Sequence, residues 1–117
     1  MTKEEKFSFK VLIKRDPDAW VAHCLELDLV AVADTVDQVE KDIIDIMVAH
    51  VRYAIENDNV WHMFHPAPPE VWRAFFTCND REETCYRKEE PEGPENEWSI
   101  VPIIQASKCY YRSSPHA

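Results

Sequence analysis

The chain has 117 residues, and 22 acidic against 13 basic side chains give it a formal charge of −9. That length predicts one domain over 1–117, and that charge argues against direct DNA or RNA binding, because phosphate recognition needs the opposite sign. With 45% hydrophobic and 11% aromatic residues the chain can fill a core, which excludes a disordered polymer. No apolar run approaches the ~20 residues that span a bilayer, and the first residues lack the apolar centre of a signal peptide, so a cytoplasmic protein away from membranes is expected. In that setting Cys24, Cys78, Cys85 and Cys109 should stay reduced. One glycine against eight prolines means that tight turns must draw on Asp, Asn and Pro.

Phe7, Phe9, Val11 and Ile13 alternate with Ser8, Lys10 and Lys14, the period of a half-buried strand, with Leu12 out of pattern. Asp16-Pro17-Asp18 predicts a hairpin turn into a second strand, Trp20 to Leu25. Leu29 to Ala33 is a short apolar run that fits a third strand buried on at least one face. Thr35 and Gln38 match a capping box, and apolar residues from Val36 to Ile55 recur at three- and four-residue steps, predicting a long helix that ends at Asn57-Asp58-Asn59. Pro68-Pro69 then starts a short aromatic helix running to Phe76. Glu82 to Glu97 holds seven glutamates and two basic residues, the composition of a solvated loop. Trp98 to Ile104 is β-branched but contains Pro102, which predicts an edge strand, and the tail from Ser107 is expected to be loose.

The run WVAHCLELDLVAVADTVDQVEKDIIDIM, residues 20 to 47, resembles the N-terminal domain of HicB-type antitoxins. Trp20, Ala22 and Cys24 match an aromatic-x-A-x-C strand start, and Asp34 with Thr35 matches the family's D/N-T helix start. With the preceding strand, the resemblance covers about residues 7 to 55. It implies a partial ribonuclease-H-like fold without catalysis, and as partner a HicA-type toxin. Two departures stand out: Ala33 replaces a usual glycine, and nothing after Val60 has the pattern of the family's DNA-binding module. The expected architecture is therefore α+β. It comprises an antiparallel three- to four-stranded sheet, the Thr35–Asn57 helix on one face, and a short C-terminal aromatic helix.

Ribonuclease-H chemistry would need clustered carboxylates around two metals. Asp28, Asp34 and Asp37 are already explained by a turn, a helix cap and the helix dipole, so no catalytic residue and no cofactor is assigned. The alternative is a metal-binding or catalytic domain, with His62, His65, Cys78 and Cys85 as zinc ligands, though six residues between the cysteines is poor zinc spacing. His50 falls on the buried side of the long helix, where a hydrogen-bonded core role is expected. For partner binding the candidates are Glu82, Glu83, Glu89, Glu90 and Glu92, an acidic arm suited to a small basic toxin, together with Trp72, Phe75 and Phe76. Aromatic surface left exposed would point to a homodimer or other homo-oligomer. A purely self-associating domain is the remaining alternative.

Overall fold

The structure, a computed structural model, describes residues 2–87 and 99–111. Its elements in order are β1 (Thr2–Asp16), β2 (Ala19–Cys24), β3 (Leu29–Ala33), α1 (Val36–Glu56), α2 (Pro69–Thr77), β4 (Arg81–Arg87) and β5 (Ser99–Tyr111), with a 3-10 turn at Val60–His62. The sheet order is β3-β2-β1-β5-β4. β1 with β2, β2 with β3, and β4 with β5 pair antiparallel, whereas β1 and β5 pair parallel from Thr2↔Ser99 to Lys14↔Tyr111. The class is α+β, but the sheet is mixed and five-stranded rather than purely antiparallel. Parallel neighbours need a long connection between them, and here β2, β3, the two helices and β4 all lie within it.

The first three strands follow from alternation and turn chemistry. Asp16 pairs with Ala19 across the Pro17-Asp18 turn. The β2–β3 turn and the end of α1 both require a left-handed residue, and aspartate fills both positions, Asp28 at φ 53° and Asp58 at φ 49°. Aspartate tolerates this region better than most side chains. At the start of α1, Thr35 accepts a hydrogen bond from the Gln38 N–H at 3.1 Å. The Gln38 amide does not return to complete the box; it donates to Asp42 one turn on, at 2.7 Å. At the other end Asn59 N–H reaches Ala54 O and Asp58 N–H reaches Ile55 O. This is a Schellman closure with aspartate in the place usually given to glycine.

Each face of the sheet carries one helix. Phe7, Phe9, Val11, Ile13, Ala22, Cys24, Ile104 and Ala106 form the main core with Val39, Ile43, Met47 and Val51 of α1. Leu12, out of pattern in the sequence, belongs to a smaller core on the opposite face, with Leu25, Phe75, Cys78 and Cys109. The second layer is α2, whose Val71, Trp72 and Ala74 pack on that core.

Several expectations are corrected. The aromatic helix does not end the fold, because two strands follow it. β5 is not an edge strand: it lies between β1 and β4, and Pro102 sits one residue beyond the last β4 pair, Arg87↔Ile103. The β4 ladder therefore asks no N–H of Pro102. Glu82 to Arg87 is strand rather than loop, held by its register on β5, while residues 88–98, with Glu89, Glu90 and Glu92, lie outside the described residues. Ser107 to Tyr111 continues β5 instead of starting a loose tail. Finally, Cys78 and Cys109 are joined in a disulfide, Cα atoms 6.2 Å apart, so these two thiols are not reduced. α2 packing on β5 brings these two cysteines together, and Cys24 and Cys85 stay free.

Candidate interaction surface

The two edges of the sheet differ in chemistry. β4 presents Arg81, Glu82 and Glu83, the kind of charged edge that resists pairing with another chain. β3 reads LVAVA, with no charge and no proline, and among the described residues it is hydrogen-bonded on one side only, to β2. Ala31 is buried toward α1, whereas Val30 and Val32, on the other face, are 48% and 60% exposed. An apolar strand with a free row of backbone donors and acceptors is a template for a further strand. Asp28 and Asp34 bracket it. Asp28 is held by His23, Nε2 to Oδ1 2.6 Å, and His23 lies opposite Val30 in the β2–β3 register.

The sequence missed this surface, although an uncharged five-residue run between two aspartates was its signal. Such a run fits a fully buried strand equally well, and only the sheet order shows that β3 has one neighbour among the described strands.

The acidic candidates separate. Glu82 faces the α1 side, where its carboxylate lies 3.4 Å from Lys108 Nζ. Glu83, one residue on, borders a shallow cavity on the opposite face with Ser8, Lys10 and Gln105. They do not form one arm, because successive strand residues point to opposite faces. Lys108 is 5% exposed and also contacts Glu40 at 3.0 Å, whose second oxygen accepts the Tyr110 hydroxyl at 2.7 Å. Burial, and then the Glu40 carboxylate that accepts its proton, push the Tyr110 hydroxyl above the ordinary tyrosine range, so it remains a donor. A cavity of about 600 Å³ opens beside this group, lined by Arg15, Trp20, Val36, Glu40, Glu82 and Tyr110 among others. The carboxylates Glu40 and Glu82 are matched by Lys108, which makes this a structural network.

The aromatic candidates separate as well. Phe75 is 1% exposed and anchors the smaller core, so it is removed from the contact surface. Trp72 is half-buried: its indole N–H donates to Ala67 O at 3.1 Å, and Lys10 Nζ lies 5.7 Å from its ring centre. Phe76 is exposed, as are Trp61 and Phe64 beyond the end of α1. His50 differs from expectation too, since its buried Nε2 has no hydrogen-bond partner.

The metal alternative does not assemble. Cys78 is committed to Cys109, and Cys85 is exposed on β4. His62 and His65 are exposed in the segment leading to α2, where the His65 N–H donates to Glu26 O. Among the described residues no three His, Cys, Asp or Glu side chains are placed to hold a metal, and this includes Asp28, Asp34 and Asp37.

The two remaining thiols differ sharply: Cys24 is buried and Cys85 exposed. Burial pushes the Cys24 thiol from 9.0 up to about 12. The folded chain keeps it neutral where the unfolded chain ionises it. Its contribution to stability is therefore complete below pH 9.0 and is lost as the pH rises through about 12. At neutral pH an aromatic disulfide reagent should label Cys85 alone, and Cys24 only after denaturation. Rapid labelling of both in the native chain would contradict this burial.

No family model matches the chain, and no curated protein or solved structure matches it either. Among the described residues no helix is long and apolar enough to cross a membrane.

Proposed function

We propose that the chain is a non-catalytic protein-binding module of the HicB antitoxin kind, which neutralises a small basic RNA-cleaving toxin by covering its active face. The single observation that carries this reading is the β3 edge, where Val30 and Val32 are open beside backbone groups that no other described strand pairs. Main-chain hydrogen bonds along such an edge give affinity, and the side chains on the exposed face give selectivity. The charge of −9 supports a basic partner, because a toxin that grips RNA presents a positive surface and is steered toward a negative one. The glutamates of the 82–97 stretch contribute to that field wherever the partner docks.

The test mixes the purified full chain with a HicA-type toxin, cognate by genomic neighbourhood, and follows complex formation and RNA cleavage at low and moderate salt. A stable complex, weakened as salt rises, with cleavage suppressed at equimolar ratio, is the expected result. Unchanged cleavage at a tenfold excess of the chain over its cognate toxin would remove the reading.

A further inference from the structure

The β3 edge carries information about what can pair with it. Strand residues alternate faces with a period of two, so Val30 and Val32 share the face away from α1. Asp28 and Asp34 lie one residue beyond the two ends of the strand: Asp28, in the left-handed turn, reaches that face through its contact with His23, the residue registered opposite Val30, and Asp34 follows Val32 by two residues. The edge thus reads acid, apolar, apolar, acid at positions 28, 30, 32 and 34.

A second copy meets this pattern badly. An antiparallel two-fold pairing centred on Ala31 sets Val30 opposite Val32 of the other copy, but it also sets Asp28 opposite Asp34 at both ends. Like charges directly opposite destabilise a strand pair. Sliding the copy by two residues to relieve one repulsion places an aspartate opposite a valine. Sliding by one exchanges the two faces, because register and side-chain direction are locked together. A foreign strand with basic residues at the two outer positions turns both repulsions into attractions while keeping the apolar pairs.

We propose that β3 selects an extended partner segment of the form basic-x-apolar-x-apolar-x-basic, and that Asp28 and Asp34 keep second copies of this chain off the same edge. The proposal deepens the protein-binding reading and rests on it for the biological partner, but the pairing rule itself is independent of any toxin. The occupant is a positively flanked β-strand. Its two end charges lie about 20 Å apart at ~3.3 Å per residue, which matches the span from Asp28 to Asp34.

The probe is an acetylated, amidated heptapeptide, lysine-threonine-valine-threonine-valine-threonine-lysine, which reads the same in either direction. Its control has the same composition with valines outside and lysines inside, so total charge is unchanged. Titrated against the full chain and followed by amide exchange and chemical shifts along β3, the first peptide should bind at least tenfold more tightly than the control. Val32→Lys, at an exposed position, should abolish the difference. Equal affinities for the two peptides, or binding that leaves the β3 amides untouched, would overturn the proposal. A second arm uses Asp28→Asn with Asp34→Asn; asparagine accepts the left-handed backbone at position 28. The double variant should self-associate at least tenfold more strongly than the native chain, and adding Val32→Lys should reverse it. A double variant that is no more dimeric than the native chain would also overturn the proposal.

The outcomes separate the two readings. Selective peptide binding with no effect on the cognate toxin removes the antitoxin role and leaves the pairing rule. Toxin neutralisation that survives Val32→Lys, with no peptide selectivity, does the reverse.

Discussion

Removing the Cys78–Cys109 bond should lower stability by about 3.7 kcal/mol, the loop-closure value for its 31-residue separation. For a domain of this size that is a fall of roughly 10–15 °C in Tm. The bond is more than an addition to a finished core, because Cys78 and Cys109 are two of the five buried residues between α2 and the sheet. The remaining three are Leu12, Leu25 and Phe75, and a helix as short as Pro69–Thr77 does not hold together by itself. Loss of α2 should therefore precede loss of the main core. Circular dichroism melts with and without a dithiol reductant, beside a Cys78→Ala, Cys109→Ala variant, measure the effect. Coincident melts would mean that the α2 layer stands without its crosslink.

The second large effect belongs to Glu40. Lys108 is 5% exposed, and its partners are Glu40 at 3.0 Å and the more exposed Glu82 at 3.4 Å. Removing Glu40, the less exposed of the two partners, leaves the buried Lys108 ammonium with inadequate solvation, a loss of about 3 kcal/mol. Glu40→Gln should show it, because glutamine keeps an acceptor for Tyr110 and removes only the charge. Glu82→Ala should cost less than about 1 kcal/mol, as exposed ion pairs do. Combining Glu40→Gln with Lys108→Met should recover most of the loss, since the pair is replaced rather than broken. Chemical denaturation of the native chain, Glu40→Gln, Lys108→Met and the double variant closes the cycle, with Glu82→Ala measured beside them. A double variant as weak as Glu40→Gln alone would assign the loss to packing at position 40.

The first half of the fold was legible because its signals are local. β3 has the residues expected, Leu29–Ala33, and α1 starts after Thr35 and ends at Glu56, where the asparagine and aspartate cluster predicts a stop. Ala33 is not among the residues with positive φ, so its place before Asp34 needs no glycine. What escaped was everything that depends on distant neighbours. Pro102 argues for an edge, but whether β5 has one neighbour or two is decided by where β4 stops. The glutamates at 82 and 83 read as part of an acidic loop, since their strand is stabilised by pairing with Lys108 and Ser107 rather than by propensity. Phe75 and Phe76 are indistinguishable by composition, yet one is core and the other surface, because only one side of α2 meets the sheet. The interaction edge was hidden for the same reason. A run of five apolar residues does not say how many strands flank it.

The parallel pairing of β1 with β5 also sets the order in which the protein can be made. β1 lies at the centre of the sheet, and one of its two neighbours is the last element described. At ribosomal speeds of ~5–20 residues per second, several seconds separate the appearance of β1 from that of β5. During this interval the nascent chain can form the β1–β2–β3 meander and α1, but one side of β1 has no partner. The emerging chain therefore carries two open apolar edges where, among the described residues, the finished one keeps β3 alone. Newly made protein, more than mature protein, is what a chaperone would need to shield.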